Sequence, residues 1–262
     1  MQIFDTGDVR IHYRVDGPED GAPVVFANSL GTDLRLWDPI LPLLPEGLRI
    51  IRWDKRGHGL SSIPPAPYSM GSLVTDCERL LDHLDVKECV FVGLSIGGMI
   101  AQGLAVKRLD LIRAVVLSNT AAKIGNPEMW AERIDTVEKN GVESLADAVM
   151  ERWFAAEFRA KPEMELWRNM LVQQADEGYA GCCAAISNTD FFTPTSGLRL
   201  PCLGIAGSED GSTPPDLVRE TTDLIPGSKL HVIRRTGHLP CVEQPEEYAR
   251  VLTEFLKGVG HV

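Results

Sequence analysis

The chain has 262 residues, 44% of them apolar and 24% charged, and a formal net charge of −11. That composition is ordinary for a globular protein, and the length suffices for one large core or a core with an inserted subdomain. The acidic balance argues against a nucleic-acid partner, and an anionic substrate would need a cation placed locally to hold it.

Residues 2–5 and 9–15 nearly alternate in polarity around Thr6-Gly7-Asp8, which reads as an opening antiparallel hairpin. Pro23-Val24-Val25-Phe26-Ala27 is a short apolar run, hence a buried strand. It ends in the turn Asn28-Ser29-Leu30-Gly31, before Leu36-Trp37 and a proline-interrupted helix to Leu44. Leu48 to Trp53 reads as a further strand, followed by Asp54-Lys55-Arg56-Gly57-His58-Gly59-Leu60-Ser61, a turn with two glycines. His58 invites a catalytic role, but the glycines account for the turn's shape and favour a structural histidine. Ser72 can cap a helix from Leu73 to Leu84 with Leu73, Leu80, Leu81 and Leu84 on one face. A strand over 89–94 follows, then a helix to about Lys107 and a β-branched strand from Arg113 to Ser118.

From Lys123 to about Phe192 no buried strand is evident. The pattern is helical over 127–140, 143–154, 162–177 and 180–187, with breaks at Asn140-Gly141, Pro162 and Gly178. Strand–helix alternation resumes at 201–206, with a helix over 215–224, a strand over 229–234 and a helix over 245–257. Alternation of this kind predicts an α/β fold: a mostly parallel sheet covered by helices on both faces. The helical stretch after the sixth strand is expected to form a cap over the strand ends. Residues 1–122 and 193–262 would then make the core domain, and 123–192 the cap. The N-terminus lacks the basic-then-apolar pattern of a signal peptide, and no apolar stretch reaches the ~18 residues of a membrane span, so a cytoplasmic chain with no membrane partner is expected. The cysteines Cys77, Cys89, Cys182, Cys183, Cys202 and Cys241 read as reduced, mostly buried thiols. No Cys-x-x-Cys or His-x-x-x-His spacing suggests a metal site.

The chemistry centres on Cys89-Val90-Phe91-Val92-Gly93-Leu94-Ser95-Ile96-Gly97-Gly98-Met99. A Gly-x-Ser-x-Gly pattern alone carries little weight, but here a buried strand precedes it and a helix follows. In that setting Ser95 sits on a sharp, strained turn with its hydroxyl at the strand tip, and the Ile96 N–H at the helix start can face an anion formed beside it. Ligands of parallel α/β sheets bind beyond the carboxyl ends of the strands, so the partners of Ser95 should follow strands too. Asp210 lies in the loop after strand 201–206, with Glu209 as its rival, and His238 in the loop after strand 229–234. The order Ser95, Asp210, His238 is that of an α/β-hydrolase triad. A serine hydroxyl needs a base to take its proton, imidazole can take and return it, and a carboxylate on the far ring nitrogen fixes the tautomer. The second oxyanion donor should come from the loop after strand 23–27, where the backbone N–H of Leu30 is the choice.

Along nearly its whole length the sequence resembles the α/β-hydrolase superfamily, and more narrowly the 3-oxoadipate enol-lactonases. The resemblance rests on Asn28-Ser29-Leu30-Gly31-Thr32-Asp33, Arg56-Gly57-His58-Gly59-Leu60-Ser61, Gly93-Leu94-Ser95-Ile96-Gly97-Gly98-Met99 and Ser118-Asn119-Thr120-Ala121. Many superfamily members have His-Gly where this chain has Asn28-Ser29. The resemblance implies hydrolysis of 3-oxoadipate enol-lactone to 3-oxoadipate in aromatic-compound catabolism, through a serine acyl-enzyme and without metal or organic cofactor. That substrate carries a carboxylate, for which the cap offers Trp130 and Arg133 on one helix face and Arg152-Trp153 as a second pair. The opposing reading is that the tryptophans pack the cap onto the sheet and the arginines face solvent. Triad motifs are shared with carboxylesterases, perhydrolases and C–C bond hydrolases, and some proteins of this fold are ligand receptors. Apolar cap positions leave a homo-oligomer open.

Overall fold

The computed structural model describes all residues, 1–262. Its centre is one eight-stranded sheet in the order β1-β2-β4-β3-β5-β6-β7-β8. The strands are β1 (Gln2–Asp5), β2 (Arg10–Asp16), β3 (Ala22–Ala27), β4 (Leu48–Trp53), β5 (Cys89–Leu94), β6 (Ile112–Ser118), β7 (Cys202–Gly207) and β8 (Lys229–Ile233). The opening hairpin pairs Gln2 with Tyr13 in antiparallel register, and β2 joins β4 antiparallel; every later pairing is parallel. Strands β5 and β7 are buried at every position. Their unbroken apolar runs reflect a sheet flanked on both faces, where neither side-chain direction meets water. All six cysteines are free and buried, in line with their reading as mostly buried thiols.

The core helices are α1 (Met70–His83), between β4 and β5, and α2 (Ile96–Lys107), between β5 and β6. Between β6 and β7 the chain forms α3 (Pro127–Asn140), α4 (Ala146–Trp153), α5 (Ala156–Arg159), α6 (Met164–Val172), α7 (Asp176–Ser187) and α8 (Phe192–Ser196). This is the helical cap after the sixth strand. Helix α9 (Pro215–Thr222) follows β7, and α10 (Pro240–Glu243) and α11 (Pro245–Gly258) close the chain. No helix is long and apolar enough to cross a membrane.

Several local expectations shift. The cap of α1 is Ser69, three residues before the predicted Ser72; the two form a reciprocal capping box in which Ser72 is the N3 partner. Instead of a helix to Leu44, the chain makes two 3₁₀ turns, Leu34–Trp37 and Leu41–Leu43. The predicted helix 162–177 ends at Val172, and Gly178 lies inside α7 rather than between helices. Packing explains that last change: the Gly178 backbone lies so close to Gly57 that any side chain would collide with it. The glycine therefore serves close approach of the cap to the turn after β4, and hydrogen bonding keeps the helix intact around it.

Candidate active site

Ser95 occupies the turn between β5 and α2 with φ 57° and ψ −119°. Such a backbone costs a non-glycine residue roughly 1–3 kcal/mol and persists only where the surroundings hold it. They do so here: Ser95 N–H donates to the Ser118 carbonyl at 3.0 Å, and Thr120 Oγ1 donates to the Ser95 carbonyl at 2.6 Å. Gly93 and Gly97 let strand and helix meet, since a Cβ on Gly93 would run into the Gly97 backbone and one on Gly97 into Ala27. Ile96 is the first residue of α2, where an N–H has no acceptor within its own helix.

Asp210 and His238 come together as the chain order suggests. His238 Nδ1 lies 2.9 Å from Asp210 Oδ2. Asp210 Oδ2 also accepts from Asn119 Nδ2 and Thr213 Oγ1, both at 2.8 Å. Its Oδ1 accepts the backbone N–H groups of Ser212 at 2.7 Å and Thr213 at 3.0 Å. Burial would raise the Asp210 pKa, but the charge and hydrogen bond of His238, with Asn119 and Thr213, hold it down to about 2. The carboxylate is thus ionised throughout the neutral range and fixes the proton of neutral His238 on Nδ1, leaving Nε2 as an acceptor. Glu209, the rival in the sequence, is exposed.

Ser95 Oγ makes no hydrogen bond in this structure; the hydroxyl facing His238 Nε2 is that of Ser29, at 3.4 Å. A catalytic hydrogen bond often tightens only when substrate binds, so this geometry leaves Ser95 available as nucleophile. Ser29 itself was legible only as part of the Asn-Ser-Leu-Gly string. Asn119, whose position in the Ser-Asn-Thr-Ala string carries no role by itself, donates to both Asp210 and the Gly237 carbonyl, tying the two loops together. Glu243 carried no sequence signal. Its Oε1 accepts the Gly237 N–H at 2.6 Å and its Oε2 the Ala155 N–H at 2.9 Å, so one carboxylate joins the His238 loop to the end of α4. Burial pushes its pKa up to about 7, against the two backbone donors.

The turn Asn28–Gly31 follows β3. Its Leu30 N–H donates to no protein acceptor. Gly31 N–H donates to His58 Nε2 at 3.0 Å, which makes His58 a buried brace of this turn. Burial, then the nearby Lys55 charge, holds His58 well below the ordinary histidine pKa, so it is neutral and carries its proton on Nδ1. Asn28 anchors the turn's start by donating to the Trp53 carbonyl at 2.8 Å and accepting from Trp37 Nε1 at 3.0 Å.

The cap side chains divide. Trp130 spends its indole N–H on the Ile124 carbonyl at 2.6 Å. Arg133 stacks over the Trp130 ring at 5.4 Å and donates to Tyr179 OH at 3.3 Å. The rings of Tyr179 and Trp153 both lie against Gly31, each 3.3 Å from where a Cβ there would stand, and the Trp153 carbonyl accepts the His238 N–H at 2.7 Å. Arg133 is half-buried, whereas Arg152 is exposed; partial desolvation, and then the Arg133 charge, lowers the Arg152 pKa. Neither Arg133 nor Arg152 forms an ion pair.

The family model of the alpha/beta hydrolase fold matches residues 22–245. This chain is an α/β-hydrolase. Within that family it is closely related to the 3-oxoadipate enol-lactonases. It is 34% identical over 252 residues to 3-oxoadipate enol-lactonase 2 of Acinetobacter baylyi, covering 95% of this chain and 94% of that one. The crystal structure of the enol-lactonase from Burkholderia xenovorans superposes with a TM-score of 0.94 at 35% identity, over 98% of this chain and 100% of that one. A thermophilic esterase from Thermogutta terrifontis, 28% identical with both chains covered in full (100%), superposes with a TM-score of 0.92. Lactone- and ester-cleaving relatives therefore share this fold over the whole chain, cap included.

Proposed function

We propose that this α/β-hydrolase opens a small anionic lactone, with 3-oxoadipate enol-lactone as substrate and 3-oxoadipate as product. Ser95 is the nucleophile, His238 the general base and acid, and Asp210 the carboxylate that holds the imidazole. The backbone N–H groups of Leu30 and Ile96 form the oxyanion hole. Ser95 Oγ attacks the lactone carbonyl while His238 Nε2 takes its proton, and the tetrahedral oxyanion forms. Collapse breaks the ring C–O bond as the protonated His238 gives its proton to the departing oxygen. The departing oxygen is an enol, a better leaving group than an ordinary alcohol, and its ketonisation removes a tethered nucleophile that would otherwise close the ring again. Water deprotonated by His238 then attacks the acyl-enzyme and releases the diacid product.

The observation that supports the substrate class is the half-buried cap guanidinium of Arg133, which has no carboxylate partner in a chain of net charge −11, with the exposed Arg152 as a second cation of the cap. A half-buried guanidinium that spends its contacts on Trp130 and Tyr179 rather than on a carboxylate remains able to take an anionic ligand. Tyr179, which accepts from Arg133, also lies against Gly31 of the proposed oxyanion turn, and Trp130 stacks against Arg133. The test is kcat/KM for the enol-lactone beside a small neutral ester, with Ser95→Ala as the blank. A strong preference for the lactone is expected, with Arg133→Ala raising KM for the lactone about tenfold and leaving the ester unchanged. Comparable rates on both substrates would withdraw the lactone in favour of a broad esterase, and full activity of Ser95→Ala would remove the serine mechanism.

A further inference from the structure

Lys55 is the most deeply buried cation of the molecule without a carboxylate partner, at 3% exposure. It sits just after β4, and its Nζ donates to the Ser29 carbonyl at 2.7 Å and to the Thr32 carbonyl at 3.2 Å. The nearby carboxylates are engaged elsewhere. Asp54 accepts from His12 Nδ1 and from the N–H groups of Leu34 and Leu60, and Asp33 is paired with Arg35. A buried ammonium resting on two backbone carbonyls is an expensive arrangement, since charge transfer out of water costs several kcal/mol even after relaxation. A plain structural brace needs no charge there.

The position of the first carbonyl is what matters. The Ser29 C=O and the Leu30 N–H belong to the same peptide group. A cation on the oxygen of an amide withdraws electron density through its C–N bond and makes the N–H a stronger donor, the same cooperativity that runs along hydrogen-bonded chains. That N–H has no protein acceptor. We infer that Lys55 is a positioning residue that polarises the Ser29–Leu30 peptide, strengthening the Leu30 N–H as a donor to the oxyanion formed at Ser95. The inference rests on the reading of Leu30 as an oxyanion donor. Its effect belongs to the transition state: the ground-state carbonyl bears little charge, so kcat and not KM should carry it.

The titratable groups around Lys55 are Asp54 on its own turn, Asp33 on the oxyanion turn, His58 at the end of the 54–58 turn and Cys182 on α7. Burial lowers Lys55 to about 8, opposed by the charges of these acidic neighbours. His58 is held well below its ordinary range, and burial raises the Cys182 thiol to about 12. Between pH 7 and 10, then, His58 stays neutral and Cys182 stays protonated while Lys55 loses its charge.

Lys55→Gln separates charge from hydrogen bonding, because its amide can still donate to both carbonyls. Its kcat should fall about tenfold with KM little changed, less than the loss of a whole oxyanion donor. A boronic acid, which adds to the nucleophilic serine as a tetrahedral anion, should lose affinity by the same factor. A neutral, uncleaved ground-state amide should bind both proteins equally. Wild-type kcat should decline as pH rises past about 8, and the variant should lack that limb; the wild-type profile decides even if the variant folds poorly. Unchanged boronate affinity and kcat in Lys55→Gln, or a wild-type kcat flat from pH 7 to 10, overturns the role of Lys55 alone. Failure of wild type to bind the boronic acid overturns the oxyanion reading and this inference with it.

Discussion

Beneath His238 lies a carboxylate, Asp210, and beneath the turn Ser29–Gly31 lies an ammonium, Lys55. Each buried charge is opposite in sign to the charge that hydrolysis would create above it, imidazolium over the first and oxyanion over the second. The two are held differently. Asp210 accepts five hydrogen bonds from its own loop, from Asn119 and from His238, so its charge is fully paired. Lys55 rests on neutral carbonyls with no carboxylate partner, and burial lowers its pKa to about 8. On the proposed mechanism, the acid–base half rests on a fully paired charge and the oxyanion half on one whose pKa burial lowers to about 8. The lesson is that a charge acting through a side chain can be saturated with partners, whereas a charge acting through a peptide must leave that peptide's N–H free.

The most severe way to break this comparison is at Asp210. Asp210→Asn should lower kcat by roughly 10⁴-fold, since the amide cannot hold the required His238 tautomer. A loss below tenfold, measured in steady state, would mean that the paired half is not the acid–base half. Its pH behaviour sharpens the point. The folded pKa, about 2, lies below the ordinary 3.8, so the Asp210 contribution to stability is complete above 3.8 and is lost as pH falls through 2.

Ser29 is where the two halves touch, through its hydroxyl and His238 Nε2. Ser29→Ala keeps the backbone turn and the Lys55 contact but removes that bond. A cost of about 1 kcal/mol, roughly fivefold in kcat, is expected from one neutral hydrogen bond. A loss comparable to that of Asp210→Asn would show that Ser29 is part of the acid–base machinery rather than a link to it.

The smallest expected effect concerns stability rather than turnover. Glu243 ties the His238 loop to the cap, and its folded pKa of about 7 is above the ordinary 4.5. Its contribution to stability is therefore greatest below pH 4.5 and is lost as pH rises through 7. Thermal melts of wild type and Glu243→Gln should show a wild-type Tm advantage that shrinks by a few degrees over that interval. A difference that grows with pH would contradict the burial of this carboxylate.

Ser95, Asp210 and His238 were legible because each belongs to a local strand-to-loop transition. A buried strand, a glycine turn and a helix start follow from neighbouring residues, and the chemistry of parallel sheets places active groups after strands. The helical nature of the cap is readable from the missing strands, but its fine divisions are not: a glycine at 178 reads as a break, whereas it lies within α7, pressed against Gly57.

The sequence by itself determined the sheet, the order of the site residues and the presence of a cap, all of which depend on short-range periodicity and turn chemistry. Only the tertiary structure decided which groups act on the site from a distance. Ser29 meets His238 across 209 positions, Glu243 meets Ala155 across 88, and Lys55 reaches Ser29 across 26. A lysine or glutamate in a turn reads as solvated, because solvation is the cheapest fate for a charge. Burial reverses that expectation, and burial is decided by how distant segments pack, not by the residues on either side.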